Sequence, residues 1–477
     1  MTAPQPSTGW EWPPAWRPPA GGLTDPPPAD EPPAGGQRDE PAWYEPRGEP
    51  APEDLPAADF LRAARAIFRD AADDLAKFTD RDAARQTAER AVRTWAAATT
   101  TGRGRLLAPA TQVRLVTAVL DERFGLGPVQ QWVDDGNVEN IDINGQQVWL
   151  SLRNGGKRLA PPVASDDGEL IQMVRDWGLQ QGQTPREFSA SRPIMTAALR
   201  SGVRLTAIMS VSRHVHVSIR IHRLVDVTLD QLAGPAYRTI TPELRDFLAA
   251  TVRAHKNIIV TGATNAGKTT LLRALAAAID PDERIATLET DYELQLDQLP
   301  GRHHDVVALE ARQANSEGAG GITLHDLIPA ALRLNPRRIL VGEARDTEVR
   351  ALIEAMNSGH EGSMTTIHAN SPAEVFARIQ MLALRGNVAM AAQEIHLAVG
   401  MSRPFVVHVR VDAAGSRYVS EVIEVLPPAD GIFPSSNRVF VPGEDGRAEF
   451  RNTLTDEAAR DLAAVGFDPD VFPGGFR

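Results

Sequence analysis

The chain has 477 residues, a formal net charge of −12 and no cysteine. That excludes a disulfide scaffold and a cysteine-held metal centre, and it argues against a protein that coats nucleic acid. No apolar run approaches the roughly 18 residues of a membrane span, and the N-terminus lacks the basic-then-apolar pattern of a signal peptide, so a cytoplasmic protein is expected.

Residues 1–56 form a low-complexity tail with 16 of the 36 prolines, ten acidic and three basic residues. Such a stretch cannot bury enough apolar surface to fold and is expected to be disordered or extended. It also holds Trp10, Trp12, Trp16 and Trp43, which are either docking anchors or incidental aromatics. Residues 57–105 read as helix. Phe60, Ala64, Ile67, Phe68, Ala71, Leu75 and Phe78 recur at helical spacing, and an Ala-rich charged stretch runs from Arg81 to Trp95.

Residues 106–228 are expected to form a smaller α+β unit. Val113, Val116, Leu120 and Phe124 mark one side of a helix that Gly125-Leu-Gly-Pro128 stops. Ile141, Ile143, Val148 and Leu150 alternate about Asn144-Gly145, a hairpin signature. Further strands are expected at Arg204–Met209 and Val217–Ile221. Over 236–426, strand-like runs at Asn257–Thr261, Arg284–Leu288 and Arg338–Val341 alternate with helical stretches, the pattern of a parallel sheet covered by helices. Two more runs, Pro404–Val411 and Tyr418–Val425, make a hairpin about Ala414-Gly415. Residues 427–477 are weakly patterned and are expected to be a peripheral extension.

The most specific stretch is Gly262-Ala263-Thr264-Asn265-Ala266-Gly267-Lys268-Thr269, followed by Thr270. It fits the phosphate-binding pattern G-x-x-x-x-G-K-[ST] between a predicted strand and a predicted helix. There the backbone N–H groups and the positive end of the helix dipole face phosphate oxygens. Lys268 supplies a point charge for the outer phosphates, and the Thr269 hydroxyl can ligate magnesium. Lysine is rare in this chain, at four residues against 46 arginines, so the pattern arises by chance only in roughly a few such chains per thousand.

Three further stretches surround it. Arg338-Ile-Leu-Val-Gly342-Glu343 is an apolar strand ending in an acid that can hold magnesium through its water shell. Glu289, Asp291 and Glu293 follow another strand. They are either a solvated acidic loop or the carboxylates that orient and deprotonate an attacking water. His360 and His368 lie in a Gly/Ser/Thr-rich context without zinc-site spacing, and a hydrogen-bonding sensor of the terminal phosphate suits them better.

The run Leu332–Arg345, then Gly359-His360 through Ile367-His368-Ala-Asn370, resembles the type II/type IV secretion ATPase superfamily, and most closely its CpaF-like branch of Tad/Flp pilus assembly. Phe124–Pro128, Glu139–Gly145, Ser218-Ile-Arg220 and Glu317–Thr323 resemble that branch as well. The resemblance spans roughly residues 106 to 426. It implies an α/β fold: a RecA-like P-loop domain preceded by a smaller α+β domain. It also implies ATP with Mg2+ as cofactors and a ring hexamer that turns hydrolysis into rigid-body domain motion. By position, Gly262 to Thr270 with His360 would hold the nucleotide, and Thr269 and Glu343 the magnesium. Glu293 would be the general base within the acidic box that begins at Glu289. His368 would belong to the histidine box. Arg204 and Arg220 would neutralise phosphate charge, from this subunit or a neighbour.

The sequence departs from the family at Thr290, where an acid is usual, with an extra acid at Asp291, and at Asn265-Ala266, where Gly-Ser is usual. The zinc tetracysteine of the type II branch is missing. The expected partners are further copies of the chain and inner-membrane platform proteins, with no nucleic acid, and with peripheral membrane association through those partners only. A conjugation-type nucleic-acid motor and a nucleotide-binding scaffold with little turnover remain the alternatives.

Overall fold

In the computed structural model the described residues are 55–468, except 104–106, 154, 181–186, 200–201, 313, 315–317, 358, 386–390 and 430–432. All belong to one unit, Glu45–Arg477. The tail expected over 1–56, with its four tryptophans, lies almost wholly outside them.

Three helices come first: α1 (Ala57–Leu75), α2 (Arg81–Arg103) and α3 (Pro109–Phe124). They share one core, with Ala64, Ile67 and Leu75 packed against Ala84, Ala88 and Val92 and against Leu115, Val116, Val119 and Leu120. The alanines let the helix backbones approach closely. This core corrects two expectations. Val116, Leu120 and Phe124 of the expected stripe do pack here, joined by Leu115 and Val119, but Val113 is 59% exposed. The i, i+4 rows of α3 turn that stripe toward α1 and α2, so α3 belongs to the helical cluster and not to the unit that follows.

The first sheet contains β1 (Val138–Asn144), β2 (Gln147–Leu152), β3 (Lys157–Ala160), β4 (Ile194–Leu199), β5 (Val203–Ile208) and β6 (His216–Ile221). Their spatial order is β3-β2-β1-β6-β5-β4, antiparallel throughout. Alternation sends Ile141, Ile143, Leu205, Ala207, Val217 and Ile219 into a core completed by Leu170, Val174 and Trp177 of the helix Asp167–Gln180. The other face therefore carries Asn140, Arg204 and Arg220, which stand side by side in register on three neighbouring strands.

The second sheet contains β7 (Ile258–Gly262), β8 (Ile285–Glu289), β9 (Val306–Glu310), β10 (Arg338–Val341), β11 (Met364–His368), β12 (Phe405–Val411), β13 (Arg417–Leu426), β14 (Ser435–Pro442) and β15 (Ala448–Phe450). Its order is β15-β14-β13-β12-β7-β11-β10-β8-β9. The six strands from β12 to β9 are parallel, and β13 to β15 continue antiparallel. Parallel strands covered on both faces read as continuous apolar runs, as β7, β8 and β10 do. The fold is the α/β, RecA-like one.

Residues beyond 426, expected as a peripheral extension, instead lengthen this sheet. Phe440 and Phe467 pack on Phe247 with ring centroids 5.1 and 5.9 Å away, and Leu462 is fully buried. Sparse aromatics in a Gly/Pro-rich segment gave little periodic signal, yet they close the core.

Candidate functional site

Strand β7 delivers the chain to the phosphate loop, and the loop's two end glycines have geometric causes. Gly262 has φ 150°, and a Cβ there would stand 2.4 Å from the Val409 carbonyl oxygen of the adjacent β12. Gly267 has φ 95° and opens the helix Lys268–Ala276. Asn265 sits at φ 63°, a left-handed conformation that asparagine tolerates better than most side chains. It can therefore stand where glycine is usual.

Parallel topology gathers the other groups. Strands β7, β8, β10 and β11 end at one edge of the sheet, so Gly262, Glu289, Glu343 and His368 come together there. Lys268 Nζ donates to the Ala263 carbonyl at 2.9 Å and to His368 Nδ1 at 3.0 Å. His368 Nε2 stands 3.0 Å from Glu343 Oε1. Oε1 has no other side chain or backbone partner among the described residues, so a lone pair stays available. Arg345 Nη2 binds Glu343 Oε2 at 2.7 Å. Burial alone would raise the Glu343 pKa, but His368 and Arg345 outweigh it and bring it down to about 2. Burial lowers the Lys268 pKa to about 8.

The three carboxylates of the acidic loop have different surroundings. Glu289 is 2% exposed; its Oε1 accepts the Glu293 and Leu294 N–H groups at 3.0 and 2.8 Å, and its Oε2 has no partner. Burial raises its pKa to about 8, so it is a neutral acid that shapes the loop. Glu293 faces outward to the joint. Its Oε1 accepts from Arg204 Nη1 at 2.5 Å, and Thr269 Oγ1 donates to its Oε2 at 3.2 Å. Arg204 Nη2 reaches Asp291 Oδ2 at 2.6 Å. Burial opposes ionisation of Glu293, yet His222, Arg204 and Arg220 together hold its pKa below the usual value. Arg204 thus arrives from the first sheet of the same chain. Arg220 lies beside it, and a cavity of about 400 Å³ opens between Arg220, His222, Tyr237, Arg417 and the phosphate loop.

His360 is not brought here. It precedes β11, whereas His368 ends it, and five strand residues at about 3.3 Å each separate the two edges of the sheet. His360 lies by Ser363, whose hydroxyl donates to the His360 carbonyl. The expectation that His360 contacts nucleotide therefore does not fit this geometry.

Two groups escaped the reading of the sequence. Arg273, in the helix after the loop, donates to the Leu224 carbonyl at 2.7 Å and to the Glu293 carbonyl. A cation inside Leu271-Leu272-Arg273-Ala274-Leu275 was the available signal. His222, whose Nε2 is buried without a partner and whose pKa burial lowers to about 4, had no signal beyond its place after Arg220.

The sequence profile of the type II/IV secretion system protein family matches residues 196–404. A Mycobacterium tuberculosis (strain H37Rv) protein whose name assigns it to conjugal transfer is 36% identical over 306 residues, 64% of this chain and 80% of that protein. The chain belongs to the type II/IV secretion system protein family. VirB11 of Rhizobium radiobacter, another relative, is 29% identical over 310 residues, 58% of this chain and 86% of that protein. Among solved structures, the VirB11 ATPase of the Brucella suis type IV secretion system, crystallised with sulphate, is 25% identical, with 64% of this chain and 95% of that one covered and a TM-score of 0.34. Among the described residues of this family member, no helix is long and apolar enough to cross a membrane. None of their His, Cys, Asp and Glu side chains cluster as a metal site either.

Proposed function

We propose that the chain is an ATP-hydrolysing motor subunit of a type IV secretion or pilus-assembly machine, acting as a ring, with a hexamer expected, beneath a membrane platform. The observation that carries this reading is the double hold on Glu293, by Thr269 from the phosphate loop and by Arg204 from the other sheet. A site made by two bodies changes when its ligand changes, and the bodies must then move.

The phosphate loop and Lys268 bind the triphosphate, and the base end occupies the neighbouring cavity. Magnesium suits the donor set. Thr269 offers a hydroxyl, and Glu343 offers an ionised carboxylate with a free lone pair. Thr269 and Glu343 would hold it there, where it supplies charge neutralisation between the outer phosphates. Phosphate oxygens compete with Glu293 and Asp291 for Arg204 and Arg220. Release of Arg204 frees one Glu293 oxygen to accept a proton from water as that water's oxygen bonds to the terminal phosphorus and the bond to the ADP oxygen breaks. When phosphate leaves, Arg204 returns to the acids. The sheet that carries it is displaced in each cycle.

Phosphate release and ATP binding measured on the full chain test this. Lys268→Ala should abolish both. Glu293→Gln should bind ATP and fail to turn it over. Hydrolysis that survives Lys268→Ala would sink the proposal, and equal turnover in Glu293→Gln would reduce the chain to a nucleotide-binding scaffold. The M. tuberculosis relative named for conjugal transfer favours a second reading, a motor for a DNA-protein cargo. Turnover stimulated several-fold by DNA would favour it over pilus assembly.

A further inference from the structure

We infer that Arg273 is a positioning residue for hydrolysis, setting Glu293 in register with the phosphate loop and tying both to the linker between the two sheets. The inference rests on the reading of the site just given. Arg273 lies four residues after Thr269 on one helix, so the two share a face. Thr269 holds Glu293 by its side chain, and Arg273 Nη2 donates to the carbonyl of the same residue. The other arm, Nη1, donates to the Leu224 carbonyl at 2.7 Å. Leu224 belongs to the linker that leaves β6, and an ion pair between Asp226 and Arg302 pins that linker a second time.

Residues 290–295 have no helix or strand of their own, so side-chain contacts determine where the Glu293 carboxylate stands. Glu289 holds the loop's N–H groups and Arg273 its carbonyl. Arg273 is 2% exposed, and its Nε has no partner. A desolvated cation between leucines is a poor way to stabilise a helix, and an apolar side chain would pack there at less cost. What the guanidinium adds is a planar fork whose two nitrogens each take one carbonyl from a separate segment, whereas a lysine would have to reach both from a single nitrogen. A shift of the loop helix on binding phosphate is thereby passed to the acid and the linker together.

Three full-length variants test this through kcat for ATP and the Kd of a non-hydrolysable ATP analogue. Arg273→Met is expected to lower kcat by about 10- to 100-fold, as small misplacements of catalytic groups do. Its Kd should change less than about threefold, because no phosphate contact is lost. Arg273→Lys should keep the fold and the Kd and recover only part of kcat. Combined with Glu293→Gln, Arg273→Met should slow the residual rate no further, since both act through one carboxylate. Wild-type kcat in Arg273→Met, equal losses of kcat and affinity, or fully additive losses with Glu293→Gln would each overturn the inference. Where Arg273→Met fails to fold, Arg273→Lys decides: reduced kcat at unchanged Kd supports the role, and wild-type kcat overturns it. Lys268→Ala separates the two levels. If it leaves hydrolysis intact, the reading of the site fails. If it abolishes hydrolysis while Arg273→Met turns over as wild type, only the inference about Arg273 fails.

Discussion

In the nine-stranded sheet the groups at the joint follow from where strands end, whereas in the six-stranded sheet they stand within paired strands, on one face. Strands β7, β8, β10 and β11 run parallel, so their last residues share an edge, and Gly262 must be glycine because the β12 main chain lies against it. Arg204 and Arg220 meet instead because β5 and β6 pair antiparallel with those two residues opposite each other. Like charges directly opposite repel, and the carboxylates of Glu293 and Asp291 across the joint offset this. One wall is set by backbone topology and tolerates little change. The other depends on side-chain charge and can let go. Under the proposed function, that difference suits a site in which one half holds phosphate and the other senses it.

The largest expected effect is at the acid between the two walls. Glu293→Gln should lower kcat by about 10²- to 10⁴-fold, the range for loss of a general base, with the ATP Kd near wild type; phosphate release and calorimetry check it. The next breaks the mobile wall. Arg204→Ala should cost about 10²- to 10³-fold in kcat, somewhat less than a full arginine finger, because Arg220 remains. It should also loosen the free protein, visible as a larger radius in small-angle scattering without ATP. Equal behaviour of free wild type and Arg204→Ala in scattering would show that the Arg204 fork does not hold the joint closed.

Smaller effects sharpen the electrostatic side. Lys268, with its pKa near 8, loses its proton as pH rises through that value, while bound polyphosphate raises the pKa and draws the proton back. ATP affinity should therefore fall by about tenfold between pH 7 and 9. Titration calorimetry in buffers of different ionisation enthalpy should detect proton uptake. The smallest effect concerns Glu289, whose pKa is raised to about 8. The folded state binds a proton that the unfolded state releases above its ordinary pKa of 4.5. This contribution to stability is full below that value and is lost as pH climbs through 8. Thermal melts from pH 5 to 9 should show a decline that Glu289→Gln, a neutral near-isostere, flattens.

Much of the parallel wall was legible because its logic is local. The glycines, Lys268 and Thr269 are contiguous, and Glu289 and Glu343 each close an apolar run of strand length, whereas His368 ends a Ser/Thr-rich stretch that gave no strand signal. The resemblance to secretion ATPases drew attention to Arg204 and Arg220, but their spacing alone said nothing. His360 shows the limit of a motif read without topology, since one strand carries its two ends to opposite edges. The helices before the first sheet were legible as helices, but which core claims α3 was not, because an amphipathic stripe does not name its partner. Phe440, Phe450 and Phe467 were hidden for a similar reason: isolated aromatics in a Gly/Pro-rich segment have no period.

The sequence alone marked the phosphate-loop motif, the strands before and after it and the family, because these are written in neighbouring residues and in short periods. Tertiary structure decided which acid faces the joint and which stays buried, that Arg204 forks between Glu293 and Asp291, and that Arg273 binds two distant carbonyls. Those outcomes depend on strand register, burial and charge brought together from segments roughly 20 to 90 residues apart, and no local pattern carries that information.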